Sequence, residues 1–150
     1  MKVHIPKIPL EALQEKELAK YRDLNDESYG EPLARKVAGK LMEHPSGLFH
    51  SHRDYCGIGL YFFEGKFTLG EVNDGMGPHP IMLTFDGKDE FIAWLADQSD
   101  QRMSLIAAVK DNYFSFKFNN QTITKTRLRY FLEADYSPDW NSYCAYLRKQ

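Results

Sequence analysis

The feature that most constrains the fold is a pair of apolar runs on either side of the dipeptide Glu64-Gly65. The first run, 55–63, reads YCGIGLYFF, and the second, 66–72, reads KFTLGEV. Both contain aromatic and β-branched residues typical of strands, and the short polar break between them is typical of a hairpin turn. The middle of the chain is therefore predicted to form an antiparallel hairpin.

The register of this hairpin depends on the length of its loop. A two-residue loop sets three facing pairs, namely Phe62 with Phe67, Leu60 with Leu69, and Gly59 with Gly70. A three-residue loop with a bulge shifts the register by one residue, so both alternatives stay open. If the two glycines do face each other, they leave room for a helix or a partner's backbone to come close.

Helical spacing precedes the hairpin and a third strand follows it. Apolar residues recur at helical spacing over 10–21, which predicts a first helix. Pro32 suits the first turn of a second helix, and the residues 44–47 are expected to end it. The apolar face expected for this second helix consists of Leu33, Val37, Leu41 and Met42. Residues 73–80 have the composition of a loop, and 81–85 (IMLTF) read as a strand.

More helices are predicted after the third strand. Asp86 is expected to cap a helix that runs to about Asp97, with a core face of Phe91, Ile92, Trp94 and Leu95. Thr124 caps another helix, and 137–139 opens a last one. Residues 104–118 stay open between helix and strand. The order predicts an α+β fold, with an antiparallel sheet around a central hairpin packed by N-terminal and C-terminal helices.

Length and composition set further expectations. The 150 residues suffice for one domain, 1–150, whose hydrophobic core is large enough to be stable without disulfide bonds. No run approaches the roughly 20 apolar residues of a membrane span, and the N-terminus lacks the apolar region of a secretory signal, which favours a cytoplasmic protein that does not contact membranes. Cys56 and Cys144 are expected to be buried free thiols.

The sequence offers one weak metal site and no catalytic motif. His50 and His52, followed by Asp54, place two imidazoles on one face if the segment is extended, and a metal-dependent hydrolase is one alternative function. The partners that complete known metal motifs are missing, as are nucleophile elbows and phosphate loops. We therefore expect no catalytic residues, no metal and no cofactor.

A nucleic-acid-binding regulator is a second alternative. Lys125, Arg127 and Arg129 lie close together near several aromatic residues, as in surfaces that hold single strands. The sequence pI is about 6.2, and Arg127 and Arg129 fall on different faces of a helix. A solvated helix face is therefore the preferred interpretation, and nucleic acid is not the expected partner.

The acidic charge is concentrated in one part of the chain. Residues 64–100 contain eight acids and two bases, whereas 101–150 contain four acids and eight bases. Such separation of charge steers and orients a complementary protein partner. The residues expected to bind that partner combine acids with neighbouring apolar and imidazole side chains: Glu64, Glu71, Asp74, Met76, His79, Asp89 and Glu90.

Three segments within 57–132 resemble bacterial immunity proteins encoded beside polymorphic toxins. They are GLYFFEGKFTLGEVNDG, EFIAWLADQSD and NNQTITKTRLRYFL. The resemblance implies a cytoplasmic, non-catalytic protein of bacterial competition that binds a cognate toxin domain, such as a nuclease, and blocks its active site. It carries over no binding residue, and it fixes neither the fold nor the oligomeric state.

Overall fold

The structure, a computed structural model, describes residues 26–49, 56–73, 77–109 and 123–149. Three strands and five helices lie in these ranges. In chain order they are α1 (Glu31–Glu43), β1 (Cys56–Phe63), β2 (Lys66–Asn73), β3 (Ile81–Thr84), α2 (Lys88–Ala96), α3 (Asp100–Val109), α4 (Lys125–Glu133) and α5 (Trp140–Arg148). The fold class is α+β, as the sequence predicts.

The strands form one antiparallel sheet in the order β1-β2-β3. The hairpin has the two-residue loop, and all three facing pairs expected for that loop are present. Glu64 and Gly65 both have positive φ, 51° and 79°, as a type I′ turn requires. This turn matches the twist of its strands, which favours the two-residue loop over the three-residue alternative.

Helix α1 follows the sequence pattern closely. Pro32 lies in its first turn, and the helix ends at Glu43, with His44 as its C-cap. Its buried face consists of Ala34, Val37, Ala38 and Leu41. Met42 is a correction to the expected face, because its side chain is 48% exposed. The helix turns by about 100° per residue, so Met42 points away from the core that its neighbour Leu41 enters.

The main core lies between one face of the sheet, here called the inner face, and the helices. Side chains that alternate along β1 and β2 form the inner face: Ile58, Leu60 and Phe62 from β1, and Phe67 and Leu69 from β2. Phe67 stacks on Phe91 of α2, with ring centroids 4.6 Å apart and planes 7° apart. Helix α2 is thereby fixed against the end of the hairpin that carries its turn.

Two expectations for α2 need correction. The residue that caps α2 is Gly87, and Asp86 lies one position before it. The backbone of Gly87 is extended, so the helix begins one residue later than a cap at Asp86 would allow. Trp94 is half-buried and packs at the margin of the core, whereas Phe91, Ile92 and Leu95 are buried as expected.

Thr124 caps its helix as predicted, and the last helix begins directly after 137–139 as predicted, with Asp139 as its cap. The Thr124 side chain accepts a hydrogen bond from the backbone N–H of Arg127, and the Asp139 carboxylate accepts one from the N–H of Ser142. The ambiguous segment is helical as far as Val109. Its remainder, 110–118, lies outside the described residues, as does the helix expected over 10–21. Cys144 is a free thiol that is half-buried rather than buried.

The opposite face of the sheet, here called the outer face, is covered by the chain's own backbone. A methyl group added at Gly59 would lie 2.8 Å from Cβ of Phe49 and 2.9 Å from the carbonyl oxygen of Leu48. One added at Gly70 would overlap Pro78. The room expected at the facing glycines therefore exists, and two segments of the same chain occupy it.

Candidate docking surface

Among the described residues, the topology places the backbones of the predicted partner-binding residues in two groups. The N–H of Phe85 donates to the carbonyl of Phe67, so the end of β3 lies beside the start of β2 and the hairpin turn. Glu64 and Asp86 therefore share this end, here called the turn end. Glu71 lies seven residues further along β2, about 20 Å away at the rise of a strand.

Glu64 is the predicted site residue with the most unusual backbone. It is exposed at the tip of the hairpin, and its φ of 51° lies in the left-handed region that disfavours residues with a Cβ. Asparagine, aspartate or glycine is the usual choice at this position of a type I′ turn. The chain thus keeps a long acidic side chain at a position where local stability favours a shorter one.

Asp89 and Glu90 lie in the first turn of α2, close in sequence to Asp86. Carboxylates in a first turn interact favourably with the helix dipole, so part of their charge has a structural role. Asp89 is exposed and Glu90 half-buried. Asp89 also lies near Arg35 of α1, whose pKa is raised first by its hydrogen bond to Glu31 and, to a smaller extent, by Asp89.

The charge at the turn end is acidic but modest. Lys66 and Lys88, the two bases of the acidic stretch, are exposed there as well. They stand among four acids, namely Glu64, Asp86, Asp89 and Glu90, which leaves a formal charge of −2 at this end of the sheet. Of the remaining acids that the structure describes in this stretch, Glu71, Asp97 and Asp100 lie elsewhere in the fold.

Glu71 and His79 meet at the other end of the sheet through their backbones. The N–H of His79 donates to the carbonyl of Glu71 (2.9 Å), and the N–H of Glu71 donates to the carbonyl of Pro80 (3.0 Å). The His79 ring packs edge-on at 6.3 Å against Phe63, the residue before Glu64, so the His79 side chain reaches toward the turn end while its backbone is held beside Glu71. Glu71 thus helps to hold the 77–80 segment on the sheet. Asp74 and Met76 lie outside the described residues.

Two further acids of the stretch have partners inside the fold. The Asp100 carboxylate accepts hydrogen bonds from the Tyr29 hydroxyl (2.9 Å) and from the backbone N–H of Lys125 (2.7 Å). Burial, and then the charge of Asp100, raise the pKa of Tyr29 well above its ordinary value. Asp97 pairs with Arg102 at 3.2 Å. The segment's net charge therefore overstates what is available to a partner.

The basic cluster on α4 is not the solvated face that the sequence suggests. Arg127 is 1% exposed, and its guanidinium carbon lies 4.0 Å from the ring centroid of Tyr143 on α5. Burial lowers the pKa of Arg127, and neighbouring tyrosines, Tyr143 foremost, oppose that change. Lys125 is half-buried and Arg129 exposed. The three bases therefore do not form a common surface for a phosphate backbone.

Sequence patterns did not single out the aromatic residues that lie beside the acids of the turn end. Five rings form a continuous row, in the order Phe62, Phe67, Phe91, Phe85 and Trp94, with neighbouring centroids 4.6–5.3 Å apart. The middle three are buried, whereas Phe62 and Trp94 are half-buried. The hydrophobic pattern marks all five as core, and only the packing shows that the row ends at the surface.

Metal ligation and membrane insertion find no support in the described residues. No group of three or more potential ligands gathers there, and none of the helices searched has the length and apolarity needed to span a membrane. His50, His52 and Asp54, the proposed metal ligands, lie outside the described ranges.

Comparison with protein families, curated proteins and solved structures found no match for this chain.

Proposed function

We propose that this protein is a cytoplasmic immunity protein that binds a bacterial toxin domain and neutralises it. The proposal has no catalytic step. The partner presents a basic surface, such as the substrate cleft of a nuclease, and this chain occupies it with the acidic turn end of its sheet. The segments that resemble toxin-neutralising proteins and the concentration of acids in 64–100 support this function.

The observation that carries the proposal is the conformation of Glu64. An exposed glutamate in the left-handed region costs stability that a shorter residue would spare. Strain of this kind, persisting at an exposed tip, is typical of positions kept for binding. The tip is also the most accessible part of a hairpin, which suits insertion into a cleft.

The test uses two substitutions at Glu64 against the toxin candidate encoded next to this chain's gene. Glu64→Gln removes the charge and keeps the length. Glu64→Asn removes the charge and also suits the left-handed backbone, so it should raise the free energy of unfolding by about 1 kcal/mol. Both variants should bind the candidate more weakly and protect cells less in co-expression. The matched control is Glu43→Gln, an exposed acid at the end of α1.

The expected loss depends on where the charge lies in the complex. If Glu64 lies at the rim of the interface, loss of its charge should slow association and reduce the dependence of association on salt. If Glu64 forms a desolvated charge pair, loss of its charge should cost about 2–5 kcal/mol of binding free energy. A stabilised Glu64→Asn variant with unchanged binding would show that the strained glutamate serves no partner. If the adjacent gene product is not toxic, or wild-type protein does not neutralise it, the proposed function is wrong.

A further inference from the structure

The turn end combines exposed carboxylates with aromatic rings that reach the surface. Phe62 precedes Glu64 by two residues, so the half-buried ring lies close to the tip that carries the acid. Asp86 directly follows Phe85, whose ring packs 5.0 Å from the half-buried ring of Trp94. An exposed carboxylate therefore lies close along the chain to each end of the row, two residues after Phe62 and directly after Phe85, the ring partner of Trp94.

This combination is selective among cations. A lysine ammonium is a compact, strongly hydrated charge that gains little from an adjacent ring once it pairs with a carboxylate. An arginine guanidinium is planar and weakly hydrated, and it can stack on an aromatic face while its N–H groups bind a carboxylate. Trp94 is the strongest of the aromatic faces for this purpose, since indole attracts cations best.

We propose that the partner contacts the turn end with arginine side chains, which stack on Phe62 and Trp94 and pair with Glu64 and Asp86. The inference rests on the proposed function for its partner, a basic protein surface, and adds the chemistry that recognises it. Complementary charge argues for such a partner, because acids outnumber bases at this end. Buried rings anchor both ends of the row, so the stacking faces are held in place before binding.

The experiment compares two peptide probes, hexa-arginine amide and hexa-lysine amide, by titration of the isotope-labelled full chain in NMR. The arginine peptide should bind about two- to five-fold more tightly, the factor expected of exposed cation–π contacts. It should shift the backbone signals of 62–67 and 85–94 and the indole N–H of Trp94. Comparison with the Trp94→Phe variant assigns that indole signal.

Two variants separate stacking from charge. Trp94→Leu keeps an apolar side chain without a ring and should abolish the preference for arginine, whereas Trp94→Phe should keep it. Glu64→Gln should weaken both peptides to a similar extent. If Trp94→Leu does not fold, Phe62→Leu provides the same comparison at the other end of the row.

Several outcomes would overturn the inference. These are equal affinity for both peptides, signal changes confined to the end of the sheet that carries Glu71, and concentration-dependent changes at the turn end without peptide, which indicate a second copy as the occupant. Failure here is distinguishable from failure of the proposed function. If toxin binding depends on Glu64 but the chain shows no preference for arginine, only the inference about arginine is wrong. If the chain prefers arginine but does not bind the toxin, only the proposed function is wrong.

Discussion

The two faces of the sheet are covered in different ways. The inner face is packed with large side chains, such as Phe67 against Phe91, which meet helices. The outer face carries a small apolar cluster of Phe49, Tyr61 and Val72, and backbone segments lie directly on its glycines. Side-chain volume therefore determines the packing of the inner face, whereas the absence of side chains determines that of the outer face.

The difference predicts opposite sensitivities to substitution. Loss of volume should be most harmful on the inner face, where a cavity would form between packed layers. Gain of volume should be most harmful on the outer face, where a Cβ would displace backbone. The following substitutions test these expectations by chemical denaturation.

Phe91→Ala should have the largest effect. The side chain is fully buried and stacks on Phe67, so its loss should lower the free energy of unfolding by about 3–5 kcal/mol. The control is Trp94→Ala in the same helix, where half-burial should limit the loss to roughly 1–2 kcal/mol. Equal losses at the two positions would mean that α2 does not present Phe91 to the sheet.

Gly70→Ala should have the next largest effect. The added methyl group overlaps Pro78, and its accommodation requires the 77–80 segment to move, at a cost of about 1–3 kcal/mol. Gly39→Ala is the matched control, because Gly39 lies inside α1 with nothing within 4 Å of the new Cβ. There the change should stabilise the protein by about 0.5–1 kcal/mol. A stabilising Gly70→Ala would show that no segment rests on the outer face.

The smallest expected effects come from two buried tyrosine hydroxyls, whose pKa values are both raised mainly by burial. The Tyr136 hydroxyl accepts a hydrogen bond from the N–H of Phe49 (2.7 Å) and donates to the carbonyl of the same residue. Tyr136→Phe should therefore destabilise the protein by about 1–2 kcal/mol, since both backbone groups lose a partner.

Tyr61→Phe is the matched comparison on the outer face. Among the described residues the Tyr61 hydroxyl has no hydrogen-bond partner, so its removal should leave stability unchanged or raise it by up to about 1 kcal/mol. A loss as large as that of Tyr136→Phe would reveal a partner for Tyr61 and contradict the view that the outer face depends on close backbone approach alone.

Part of the candidate site could be predicted from the sequence. The strand patterns place Glu64 at a hairpin turn, and the structure decides for the two-residue loop over the three-residue alternative. The sequence also grouped Glu64 with Glu71 as partner-binding residues. Closeness along the chain does not show that an extended strand places the two residues about 20 Å apart. The sequence also could not show that Trp94 is half-buried, because an apolar residue at helical spacing fits the same pattern in a core and at the margin of a core.

Local chemistry therefore determined the strands, the turn, the caps at Thr124 and Asp139, and the first turn of α1 at Pro32, because each depends on residues a few positions apart. Tertiary structure alone decided which residues meet across the chain. It buried Arg127 against Tyr143, placed Pro78 on Gly70 and brought Asp86 to the same end of the sheet as Glu64. These contacts depend on how the layers pack, and a hydrophobic pattern records that a residue is buried without recording what covers it.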